Sequence, residues 1–300
     1  MNLVVVLRKY FFFFLDNYWC HHQYIMARTA WCWSLLLASL AHVHGLVVLP
    51  DGRRMHILKD DDAVAHFIET RVHELAMAAI STKGAFSMSI GSGTTVTPLL
   101  GLKGKLDFSK VHLFFGNERT EGDAAGKCID GASELASACG MTNVYPVPRV
   151  PPEEAAMRYG EMLRDSPREA VGVCPRTGLP ALDLVLLGSG ADGHCASLYP
   201  DSAQVMRGGP GRGGIDGTRA CYLPAEGRGG ITLSLDAIMS ARHVLLSAGK
   251  ASQADMVRKC LGWSNASTNT NLPAGMISAH PGTTVEWLVT KASAIELPAL

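Results

Sequence analysis

The sequence predicts an α/β protein with three layers, αβα, built on an open and mostly parallel sheet. Three observations predict it. Apolar runs of strand length alternate along the chain with amphipathic stretches of helix length, the order that produces parallel strands with helices on both faces. The run Leu182 to Leu187 is too short for a helix and apolar throughout except for Asp183, the pattern of a parallel strand buried on both sides. It ends in Gly188-Ser-Gly190-Ala-Asp-Gly193, where glycines let the backbone turn sharply and approach a ligand, presenting Asp192 and then His194.

The elements follow in order. Residues 1–45 crowd Phe11 to Phe14, Trp19, Trp31, Trp33 and Leu35 to Leu37 among few charges. From Met26, which is itself a candidate start, a short basic beginning leads into an apolar stretch and then small residues, the layout of a secretory or organellar targeting segment. An upstream translation artefact and a signal anchor remain open, as do a plastid and a cytoplasmic address. The domain proper is expected over residues 46–300. Met55 to Leu58 reads as a strand. Asp60 to Asp62 then precede an amphipathic helix with Val64, Phe67, Ile68, Val72, Leu75 and Ala79 on one face. Ala85 to Ile90 is strand-like, and Gly91-Ser-Gly-Thr-Thr95 is expected to open into a helix whose N-terminus suits an anion. Further strands are expected at Val111 to Phe115, Asn143 to Val147 and His243 to Ser247, with helices at Ala132 to Ala138, Glu153 to Arg164 and Gln253 to Leu261. Pro148 to Pro152 and the glycine-rich Arg207 to Gly230 read as irregular loops.

With 47% hydrophobic and 18% charged residues, 300 residues suffice for one large domain or two. Lys plus Arg number 27 and Asp plus Glu number 27, so no net charge recruits nucleic acid or an anionic membrane. Cys20 and Cys32 belong to the leader. Cys128, Cys139, Cys174, Cys195, Cys221 and Cys260 form no C-x-x-C pair and are expected as mostly buried free thiols, and no His/Cys/Asp grouping has metal-ligand spacing.

Gly188 to Gly193 also fits the dinucleotide pattern G-x-G-x-x-G. That unit requires a second strand ending in an acidic residue about 20 positions on, where this chain has Arg207-Gly-Gly-Pro-Gly-Arg-Gly-Gly214. The segment instead resembles the Gly-x-Gly-x-Asp-Gly-His-Thr-Ala-Ser-Leu-Phe-Pro signature of 6-phosphogluconolactonases, with Cys195 in place of threonine and Tyr199 in place of phenylalanine. Three more blocks follow the order of that family: Val111 to Arg119, resembling a strand ending in Gly-Asp-Glu-Arg; Ile231 to Leu245; and Leu272-Pro-Ala274 followed by Thr284 to Val289. The resemblance runs over roughly residues 54 to 295. It implies the Rossmann-like fold shared with glucosamine-6-phosphate deaminases, whose motif continues His-Ile-Ala-Phe-Asn-Glu-Pro, whereas His194 is followed by Cys-Ala-Ser-Leu-Tyr-Pro200.

What the resemblance implies is hydrolysis of 6-phosphoglucono-1,5-lactone without a cofactor, on a small sugar phosphate as the partner. His194 becomes the general base that activates water, a task suited to a side chain with an ordinary pKa near 6.5. Asp192 either orients the imidazole or raises its basicity, or does no more than cap the following helix. Gly91, Ser92, Gly93 and Thr94 stand where the family has its Ser-Gly-Gly-Ser phosphate loop, and Arg119 is positioned to bind phosphate through two hydrogen bonds. Three departures remain: Asn117 for aspartate, Gly230 for arginine and Ser252 for lysine. Arg228 and Lys250 are the nearby cations that could replace the last two. A deaminase-like isomerase and a non-catalytic sugar-phosphate-binding relative are the alternatives.

Overall fold

The computed structural model describes residues 45–203, 205, 220–225, 227–262 and 271–297. The leader expected over residues 1–45 lies outside them, Gly45 excepted. In chain order the elements are β1 (Gly45–Val48), β2 (Arg54–Leu58), α1 (Asp61–Lys83), β3 (Phe86–Ile90), β4 (Val111–Phe115), β5 (Asn117–Arg119) and α2 (Lys127–Cys139). There follow β6 (Asn143–Val144), α3 (Pro152–Asp165), β7 (Gly172–Val173), β8 (Pro180–Ala181), β9 (Leu184–Gly188), β10 (Tyr222–Ala225) and β11 (Gly230–Leu233). The series ends with α4 (Leu235–Ile238), β12 (His243–Ala248), α5 (Ala254–Leu261), α6 (Pro273–Met276) and β13 (Thr284–Thr290).

The main sheet has the order β1-β2-β13-β12-β9-β3-β4-β6. Every pair from β2 to β6 is parallel, so the sheet is mostly parallel within a three-layer α/β arrangement. Its strands are buried along nearly their whole length: Phe86, Met88 and Ile90 of β3, Leu184 to Leu187 of β9 and Trp287 of β13 are all at most 2% exposed. The amphipathic face expected for α1 is realised, with Val64, Ile68, Val72 and Leu75 buried and Phe67 and Ala79 packed at its margin. Asp60 caps it by accepting Ala63 N–H, and Gly84, at φ 86°, ends it.

From β3 the chain builds outward through β4 to β6, and from β9 it builds the other way through β12 to β13. The reversal falls between β9 and β3, and crevices at the carboxyl ends of strands on either side of such a reversal are where open α/β sheets take their ligands. The loops after Ile90, Phe115, Gly188 and Ala248 all leave the carboxyl ends of strands near that point.

Several expectations are corrected. Gly91 to Thr95 opens into a 3₁₀ turn, Thr97–Leu102, and not into an α-helix. Pro98 lies in its first turn, and the segment runs so close to α1 that a Cβ on Gly101 would come within 2.5 Å of Glu69 Cδ. The strand expected from Leu182 begins at Leu184, because the Asp183 carboxylate turns to accept Ser87 N–H and Oγ–H and pairs with Lys83 Nζ at 2.8 Å. Only Asn143 and Val144 of the expected 143–147 strand join the ladder. The helix expected from Ala132 starts at Lys127. The run read as one strand ending in Arg119 breaks at Gly116, and β5 turns away to pair antiparallel with β11, itself paired with β10. Part of the expected 207–230 loop is therefore strand, and its residues 207–219 and 226 lie outside those described.

Of the cysteines, Cys128, Cys174, Cys195, Cys221 and Cys260 are buried and Cys139 half-buried, all as free thiols. Among the described residues no helix is long and apolar enough to cross a membrane.

Candidate active site

A cavity of about 550 Å³ opens where the four loops meet, lined by Gly91 to Thr95, Asn117, Arg119, His194, Tyr199 and Lys250 among others. The loop after β9 is held in a tight reverse turn. Gly190 N–H donates to His194 O (2.9 Å) and Gly193 N–H to Gly190 O (3.1 Å), with Gly193 at φ 85°. Behind it, Ala274 N–H donates to Gly193 O at 3.0 Å, and Leu272 packs so close that a Cβ on Gly193 would lie 3.0 Å away. The Leu272-Pro-Ala274 block is thus the backing of this loop.

Within the turn His194 Nδ1 lies 2.6 Å from Asp192 Oδ1, and the same oxygen accepts His194 N–H at 3.2 Å. Burial works against the charge on Asp192, but the hydrogen bonds from His194 and its charge outweigh this and hold the carboxyl below the usual range. The imidazole is about one-third exposed and stacks on Tyr199 with centroids 4.7 Å apart. With Nδ1 committed to Asp192, Nε2 is the nitrogen left for chemistry. Asp192 does not line the cavity and reaches it only through its contact with His194; the residues directly after it, 193–199, form turns and bridges and no α-helix for it to cap.

The neighbouring loops are tied to this one. Asn117 Nδ2 donates to Ser197 Oγ at 2.9 Å, so the asparagine spans from β5 to the loop that follows His194. Ser197 N–H donates to Thr232 Oγ1 at 3.1 Å. Gln253, which sequence reasoning passed over, is 5% exposed: it accepts Lys250 N–H at 2.7 Å and donates to Ser189 O at 2.6 Å, joining the loops after β12 and β9. Its side chain gave no signal in sequence because the partner that joins the two loops, Ser189 O, is a backbone group 64 residues away.

The cationic positions separate. Arg119 and Lys250 line the cavity, and no carboxylate pairs with either among the described residues. The Arg119 guanidinium donates to Arg228 O at 2.5 Å. Arg228 itself does not line the cavity: its guanidinium lies 4.2 Å from the Tyr199 ring centroid. Arg228, expected as a phosphate ligand, thus sits behind Tyr199, with its guanidinium against the ring that stacks on His194. At Gly230 the close β11 to β5 register leaves no room, since a Cβ there would overlap Glu118 O and fall 2.9 Å from Arg119 Cα.

Residues 59–287 match the family described as glucosamine-6-phosphate isomerases/6-phosphogluconolactonase. The chain belongs to this family. Among its relatives, "Probable 6-phosphogluconolactonase 2" of Arabidopsis thaliana is 26% identical over 264 residues, covering 82% of this chain and 96% of the relative. The 6-phosphogluconolactonase of Mycobacterium tuberculosis is 26% identical over 263 residues, covering 82% and 98%. Among solved structures, the 6-phosphogluconolactonase of Trypanosoma brucei superposes with a TM-score of 0.62 at 21% identity, covering 81% of this chain and 98% of that one. The family's fold is that of the sheet described above, and two of the blocks, those ending at Arg119 and carrying His194, supply residues that line the cavity.

Proposed function

We propose that the protein is a hydrolase that opens 6-phosphoglucono-1,5-lactone to 6-phosphogluconate, with His194 as general base. The observation that carries the reading is the 2.6 Å contact between His194 and an ionised Asp192 at the wall of a cavity that also holds Arg119, Lys250 and a Gly/Ser/Thr loop. Family membership and the names of the relatives support the substrate.

In this mechanism His194 Nδ1–H donates to Asp192, which fixes the tautomer and leaves Nε2 to take a proton from water. The oxygen of that water adds to the lactone carbonyl, and the tetrahedral intermediate collapses with cleavage of the bond to the ring oxygen. The proton on Nε2 passes to that oxygen as it leaves. Asp192 stabilises the imidazolium between the two transfers. The continuation Cys195 to Pro200 lacks the acidic residue of the deaminase motif, which favours hydrolysis over isomerisation.

The test is a hydrolysis assay on 6-phosphogluconolactone, corrected for spontaneous opening, on the parent and on His194→Ala. The variant should lose about 10² to 10⁴-fold in kcat while binding 6-phosphogluconate nearly as the parent does. Equal rates for the two proteins would leave a sugar-phosphate-binding protein.

A further inference from the structure

One end of the cavity gathers three stretches of chain. The Ser92 hydroxyl lies close to the Cys128 thiol, and a Cβ on Gly91 would lie 3.4 Å from Asn117 Oδ1. The Gly91 to Thr94 loop, the Asn117 to Arg119 strand and the start of α2 therefore share this end, and Lys127, the first residue of α2, lines it.

The charged groups facing the cavity are Asp61, Glu118, Arg119, Lys127, His194 and Lys250. Glu118 is 3% exposed, and its carboxylate accepts the N–H groups of Arg119 (2.8 Å), Cys128 (2.9 Å) and Ile129 (2.9 Å), so its charge is directed into the start of α2. Asp61 stands at the other end, where a Cβ on Gly249 would come within 3.0 Å of its Oδ1. Arg119 and Lys127 are thus cations of one wall without a carboxylate in ion-pair reach among the described residues. A lysine at the first position of a helix also opposes the helix dipole, so α2 gains no stability from it. A dianion held by these two cations and by the hydroxyls of Ser92 and Thr94 resolves the arrangement electrostatically.

We propose that Lys127 is a phosphate-binding residue, which with Arg119 takes up the phosphate ester of the substrate and supplies the positive charge that Gly230 lacks and Arg228 spends on Tyr199. The inference rests on the sugar-phosphate reading above. Its test is the affinity of Lys127→Met and Lys127→Arg for 6-phosphogluconate by calorimetry, at low and high salt, beside steady-state kinetics on the lactone.

Lys127→Met should weaken 6-phosphogluconate binding at least tenfold, flatten its salt dependence and act on KM more than on kcat, while Lys127→Arg recovers most of the affinity. Parent-like affinity and salt dependence in Lys127→Met overturn the proposal, as does a loss that Lys127→Arg fails to recover. A parent that binds 6-phosphogluconate yet hydrolyses no lactone removes the lactonase reading alone, and Lys127 is then judged on the binding ratio. A parent that binds no 6-phosphogluconate removes both.

Discussion

A Cβ on Gly190 would overlap His194 Nδ1 and Cε1 and Asp192 Oδ1. The glycine is needed there for space, since its φ is not in the left-handed region that Gly193 occupies. Gly190→Ala should therefore separate His194 from Asp192 while the sheet behind them stays folded. The expected outcome is a loss of kcat approaching that of His194→Ala, about 10²-fold or more, with unchanged far-ultraviolet circular dichroism; retained activity would show that the pair is not needed as built. His194 and Asp192 were legible in sequence because both lie inside one short glycine-rich segment. Gln253 was not, nor was Lys127, because each matters through groups far away in the chain: Ser189 for the first, and for the second Glu118, which caps the helix start from ten residues upstream of Cys128. No local capping residue announced that α2 begins at Lys127, as Gly126 offers no side chain.

Among the elements, the break at Gly116 decides most about the site. Gly116 N–H donates to Ile90 O, and its carbonyl accepts Leu233 N–H, so the chain leaves the parallel sheet for the antiparallel one within a single residue. Tyr159 and Tyr222 clamp the departure through hydrogen bonds to the Phe115 N–H and carbonyl (3.0 and 2.8 Å). Sequence periodicity showed the apolar strand β4 but not this switch, since β5 has only three residues and its partner lies more than 110 positions away. The same pairing sets Gly230 against Arg119. Restoring the family's arginine by Gly230→Arg would then push β11 off β5 at Glu118 O. The variant should lose stability by on the order of 1 to 3 kcal/mol, and kcat/KM should fall because Arg119 moves. Denaturant unfolding with parallel kinetics checks this; a gain in kcat/KM would mean that the strands part to admit the side chain without disturbing Arg119.

Across the whole molecule, the proposed chemistry gathers at the carboxyl ends of the strands, while a buried charge cluster joins β13, β2 and α1 near the start of β13. Glu286, 2% exposed, accepts from His56 Nε2 at 2.9 Å and from Arg71 Nε at 2.9 Å. Burial opposes its charge, but His56 and Arg71 outweigh that and bring the carboxyl down to about 2 from an ordinary 4.5. A carboxyl lowered on folding adds stability that is complete above its unfolded pKa and is lost as pH falls toward its folded one. The window here runs from about pH 4.5 down to about 2, and the increment is on the order of 3 kcal/mol. Glu286→Gln should accordingly unfold more easily at pH 7 by about that amount, with the gap to the parent narrowing as pH drops through the window. Because His56, Arg71 and Glu286 are not among the residues lining the cavity, hydrolysis per folded molecule at pH 7 should stay within about twofold of the parent. Urea titrations at pH 7, 4.5 and 2.5 distinguish the outcomes: a gap that does not narrow with acid would assign the loss to packing around the side chain, and the charge on Glu286 would then carry no part of the stability.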